Sequence, residues 1–187
     1  MKSIRIPIWR RAVAIFATGA VALLGAAGML NAPAASAAPI DATHNGSITV
    51  HALTMPTGGG KTATGMVQTP PSGADPITGA AFKLEKSKID ITTNDGYSSA
   101  LALTAASFGD LDSVFTTKNG TTGSDGSFKF ANLQPGVYRL TQTSAPTGKT
   151  LMAPAIVFVP MTDPANTANW VYDIHVYPKN GDAGKIT

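Results

Sequence analysis

The sequence predicts a mainly β protein: a two-sheet β-sandwich of immunoglobulin-like type with one short helix. Three observations lead there. About seven to nine short runs of strand character recur along the chain, divided by turn residues at regular spacing. Asn119-Gly120, Ser124-Asp125-Gly126 and Gln134-Pro135-Gly136 stand between such runs and read as tight turns. A single stretch, Tyr97, Leu101, Ala105, Phe108 and Leu111, repeats at helical spacing.

The start of the chain is set apart from this domain. Lys2, Arg5, Arg10 and Arg11 precede an apolar run from Ala12 to Leu30, and Ala35-Ser36-Ala37 supplies the small residues of a cleavage site. We therefore expect a signal peptide over residues 1–37, cleaved after Ala37, rather than a retained anchor, and no membrane span in the mature chain. Four of the 14 basic residues lie in this leader and all 11 acidic ones follow it, which leaves ten against eleven and a formal charge of −1. No nucleic-acid partner or acidic membrane surface is indicated. Removing 37 of the 187 residues leaves 150, one domain able to bury roughly 70% of its unfolded surface. Cysteine is absent, so an exported chain must draw its stability from packing or from another covalent link.

Along the mature chain, Ala38 to Gly46 reads as a lead-in. Ser47 to Leu53 alternates, with Ile48, Val50 and Ala52 on one face, and gives a first strand. Pro56 to Gly79 is rich in Gly, Pro, Thr and Ser and reads as a long loop. Its Gly58-Gly59-Gly60-Lys61-Thr62 imitates the end of a phosphate loop, but Met55 stands where the first glycine belongs. Ala80 to Glu85 is the second strand, with Phe82 and Leu84 inward, and Ile89 to Thr92 reads as a short third. A helix is predicted over Ser98 to Phe108, packed across one end of the sheets. Val114 to Thr117, Ser127 to Ala131 and Gly136 to Thr143 are further strands. Ala155 to Val159 is continuously apolar and suits an interior strand stopped by Pro160. Trp170 to Tyr177 alternates again, Trp170, Tyr172, Ile174 and Val176 against Val171, Asp173, His175 and Tyr177. Pro178 lacks an N–H and is expected to end the pairing, leaving Lys179 beyond the last paired residue, on the side of Asp173 and His175.

Trp170 and the run Val176-Tyr177-Pro178-Lys179-Asn180 resemble the pilin motif of Gram-positive sortase-assembled backbone pilins. The resemblance implies a structural subunit of a cell-surface pilus or fimbria. In that family the motif lysine is the amine that a pilin-specific sortase joins to the C-terminal threonine of the next subunit's sorting signal. It implies Lys179 as the intersubunit isopeptide acceptor, with neighbouring pilin subunits and the sortase as partners. Asp173 or His175 is placed to assist it.

Thr122 to Phe130, Leu133 to Gln142 and Ala145-Pro146 are similar to the CnaB-type module of Gram-positive surface proteins, and Gly79 to Leu84 adds its second-strand signature. The fold class this implies is a CnaB-type immunoglobulin-like sandwich over residues 38–180. Many such modules carry an internal Lys-to-Asn isopeptide bond formed beside a buried acid. Here the lysine's place is held by Ala52 and the acid's by Gln142, so no internal bond is expected.

The remaining chemistry is sparse. His44, His51 and His175 have no metal-site spacing, Ser124-Asp125-Gly126 reads as a turn rather than a calcium loop, and no cofactor or metal is expected. Lys83, Lys86 and Lys88 read as solvated. No catalytic constellation is present, and the chain reads as a sortase substrate rather than an enzyme. The alternative is an ancillary pilin or surface adhesin that presents the Pro56 to Gly79 loop to a host glycan or matrix protein. Gly181 to Thr187 reads as a linker to a following domain. The expected location is a cell-wall pilus, or the medium if the chain ends at Thr187.

Overall fold

The computed structural model describes residues 39–54 and 62–180, with the backbone alone at 179. The leader, the Gly58-Gly59-Gly60-Lys61 stretch and the linker after Asn180 lie outside these residues. Two sheets face each other. Strands β1 (Gly46–His51), β5 (Ser127–Leu133) and β10 (Asp173–Val176) form one, in the order β10-β1-β5. β3 (Ala81–Lys86), β4 (Lys118–Thr121), β6 (Gly136–Ser144) and β7 (Ala155–Val159) form the other, in the order β4-β3-β6-β7. This is the predicted β-sandwich. Two short pairs complete it: β2 (Leu53–Thr54) with β11 (Lys179–Asn180), and β8 (Met161–Thr162) with β9 (Trp170–Val171).

Period-two alternation assigns the core. Ile48, Val50, Phe130, Ile174 and Val176 from one sheet meet Phe82, Leu84, Tyr138 and Leu140 from the other, all buried. Gly120 shows why one turn expectation fails. Asn119 and Gly120 lie inside β4, opposite Lys83 and Phe82, because the Phe128 ring occupies the space of a Cβ at Gly120, 2.1 Å from where that carbon would stand. The glycine serves a close approach rather than a turn.

The helix is shorter than predicted and starts earlier. α1 spans Asn94–Leu101, capped by Thr93, whose hydroxyl accepts from the Gly96 N–H at 3.1 Å. It stops because Thr104 and Ser107 bond each other and each other's backbone, a local alternative to helix. Nor does it cross the sheet ends. Tyr97 contacts Phe158 of β7 and Trp170 of β9, both at 5.8 Å between ring centroids, so the helix lies on the outer face of the four-stranded sheet. β7 is thus an edge by hydrogen bonding, yet every residue in it is buried. The expected strand at Val114 to Thr117 is a loop with Val114 88% exposed, since Asp112 accepts from the Val114 N–H and from Lys86 Nζ and turns the chain outward. Ile89 to Thr92 is likewise loop and turn.

On the outer face of β3 and β6, Glu85 is gripped by Arg139 at 2.9 and 3.0 Å and by Lys83 at 3.0 Å. Burial opposes its ionisation, but these hydrogen bonds and charges hold its pKa below the ordinary glutamate value. Lys83 and Lys86 are therefore ion-pair partners and not simply solvated.

Candidate functional site

The stretch that carries the motif is threaded along the first strand in parallel register. Ser47 pairs with Asp173, Ile48 with Ile174, Thr49 with His175 and Val50 with Val176. The same register resumes at Leu53 with Lys179 and Thr54 with Asn180. Pro178 therefore does not end the pairing. It has no N–H to give to the first strand, so the ladder skips a step there and continues beyond it. Lys179 is inside a paired segment rather than past the last one, which corrects the sequence expectation. The gap falls at Ala52, whose N–H donates to Gly126 O and whose carbonyl accepts from Ile77 N–H, both at 2.8 Å. Gly126 has φ +73°, and a Cβ there would stand 2.5 Å from that same Ala52 carbonyl.

Two rows run along this ladder. The inward row ends in a polar cluster, where Ala52, Asn180 and Gln142 are 0%, 1% and 2% exposed. Gln142 Oε1 accepts from Asn180 Nδ2 at 2.7 Å and from Met152 N–H at 2.9 Å. Asn180 Nδ2 also donates to the Thr150 carbonyl at 2.8 Å, while Asn180 Oδ1 is buried without a hydrogen-bond partner among the described residues. Ala52 contributes only a methyl group to its position.

The outward row holds Asp173, His175 and Tyr177, and each has a partner. Ser47 Oγ donates to Asp173, which also lies 3.7 Å from Lys129 Nζ. His175 Nδ1 is 2.9 Å from His51 Nε2. The Tyr177 ring stacks on His51 at 4.7 Å, and its hydroxyl accepts from Gln68 N–H at 2.8 Å and donates to Gln68 O at 3.2 Å. Both histidine pKa values lie below the ordinary value. Burial is the first cause for each, joined by the charge of His175 at His51 and of Lys129 at His175, with Asp125 and Asp173 opposing.

A family model described as Gram-positive pilin subunit D1, N-terminal domain, matches residues 43–181. The chain belongs to this family. It is 36% identical over 179 residues to the fimbrial subunit type 1 of Actinomyces viscosus, which covers 88% of this chain and 33% of that relative. The solved structure of the fimbrial protein FimP from Actinomyces oris matches with TM-score 0.65 and 32% identity, over 78% of this chain and 31% of that one. That of the full-length major pilin SpaD from Corynebacterium diphtheriae matches with TM-score 0.63 and 33% identity, over 76% and 33%. The chain spans about a third of the length of the curated relative and of each of these structures.

Within this pilin domain the motif residues divide by task. Val176, Pro178 and Asn180 are buried, Tyr177 is clamped between His51 and Gln68, and Trp170 lies apart from them, edge-on to Tyr97 of the helix. The structure brings Gln142 to Asn180, a contact the sequence reading did not contain. It also brings His51 to His175, whose spacing in the sequence suggests no shared site. Their shared outward parity was visible in the sequence; the parallel register that makes them neighbours was not.

Proposed function

We propose that this chain is the N-terminal domain of a pilus shaft subunit displayed at the cell surface, and that Lys179 supplies the acceptor amine for sortase-catalysed linkage to a neighbouring subunit. One observation carries this reading. The motif backbone at Lys179 is paired with Leu53 and flanked by two buried residues, Pro178 and Asn180, so the reactive position is fixed by the fold. A preset position lowers the entropic cost of bringing an amine to an acyl-enzyme.

In the reaction, the lysine nitrogen attacks the acyl carbon held by the sortase. A C–N bond forms, the bond to the enzyme's nucleophile breaks, and two of the ammonium's three protons pass to the enzyme while the third stays on the new amide nitrogen. An ordinary lysine has a pKa of about 10.4 and is mostly protonated near neutrality, so deprotonation is part of the catalyst's task. Asp173 and His175 already have partners in Ser47, Lys129 and His51, which favours a base supplied by the sortase.

The Ala52, Gln142 and Asn180 cluster fits an internal cross-link position without its amine and its acid, leaving the intersubunit link as this domain's covalent chemistry. In the same reading, residues 1–37 are the export leader and 181–187 lead to a further domain. Co-expression with the cognate sortase and a donor subunit tests the proposal. Wild-type chain is expected to form high-mass ladders and Lys179→Ala to form none; ladders that persist in the variant overturn it.

A further inference from the structure

Two histidines fasten the segment that leads into Lys179. The His51 and His175 rings are nearly coplanar, 15° apart, with centroids at 5.2 Å and facing nitrogens at 2.9 Å. That is the geometry of one N–H donating to the other ring's lone pair. The pair joins the end of β1 to β10. His51 also stacks on Tyr177, and Tyr177 and the His175 N–H hold the 62–69 segment through Gln68 and the Gly65 carbonyl. Two strand ends and a loop thus meet at one imidazole contact, immediately before Pro178 and Lys179.

The contact tolerates one added proton and not two. A neutral pair or a singly protonated pair has a donor facing an acceptor; two imidazoliums present donors only, and repel. We propose that His51 and His175 form an acid-sensitive latch, which holds Tyr177 and the 62–69 segment at neutral pH and releases them when both rings are protonated. The consequence for cross-linking rests on the Lys179 reading; the latch itself does not.

Other charged groups set its working range. Asp125, in the turn before β5, favours protonation of His51; Asp173 favours it at His175, and Lys129 on β5 opposes it there. Asp173 is itself engaged by Ser47 and Lys129, which limits its support. Burial of the two rings acts in the same direction as their mutual repulsion, so opening belongs below the ordinary histidine value of 6.5.

The test is an NMR titration of the histidine ring signals together with amide hydrogen exchange, corrected for intrinsic pH dependence. Exchange at Gly65 to Gln68 and at His175 to Asn180 is expected to accelerate roughly tenfold or more across the second histidine titration, while β3 and β6 amides stay protected. In His175→Gln, and in His51→Gln as the second variant, that step should vanish. Exchange without a step, or a step that survives both substitutions, overturns the latch. No sortase enters this measurement, so failure of Lys179 as acceptor leaves its result unaffected. If the latch titrates as expected, ladder yield should fall at acid pH in wild type and hold in His175→Gln; an equal fall in both overturns its link to cross-linking.

Discussion

Gln142 serves two donors with one carbonyl oxygen, the Asn180 amide and the Met152 N–H, and is itself only 2% exposed. Gln142→Ala should therefore lower stability by about 1–3 kcal/mol, the range for stranding buried polar groups, read as a shifted urea midpoint. The same geometry makes a stricter prediction about the internal bond that this domain is expected to lack. Register puts Ala52 on the inward row with Asn180, and Gln142 touches Asn180 directly. Ala52→Lys combined with Gln142→Glu should bring amine, amide and acid together and lose the mass of one ammonia, whereas wild type should keep its full mass. An unchanged mass in the folded double variant contradicts the assignment of the row; a loss in wild type contradicts the absence of the bond.

At the scale of elements, the strand at Leu53 decides how Lys179 is held. The N–H groups of Ala52 and Thr54 donate to Gly126 O and Asp75 O, away from β11, which leaves Leu53 to serve the Lys179 side. Leu53→Pro should remove that link and speed amide exchange at Asn180, with little change in β3, β6 and β7; uniform protection in the variant contradicts the pairing. Much of this scale was legible in the sequence. Ala155 to Val159 was read with its observed bounds, and the inward faces of the first strand and of Phe82 and Leu84 follow alternation as predicted. What could not be read depended on partners distant in sequence. Gly120 reads as a turn until Phe128 lies over it, and Pro178 reads as a terminator until the register resumes beyond it. The motif residues are legible from resemblance; the contacts that pin them, His51, Gln68, Gln142 and Thr150, come from four other segments.

For the whole molecule, stability should fall with acid in two separate windows. His51 and His175 have lowered pKa values in the fold, so below the ordinary value of 6.5 the unfolded chain binds more protons, and stability drops as pH falls through that range. Glu85 and Asp112 are also lowered, from 4.5 and 3.8, so their contribution is present above those values and is lost as pH falls further. Urea midpoints measured against pH should show both slopes, and His175→Gln should flatten the upper slope and leave the lower one; a single slope near pH 4 contradicts the histidine part.

The proposed intersubunit link rests on one nitrogen, whose identity can be read from the link itself. Fibres assembled from wild-type chain by the cognate sortase can be digested and the branched peptide sequenced by tandem mass spectrometry. A donor threonine joined to Lys179 is expected. A branch at Lys83, Lys129 or any other lysine contradicts it.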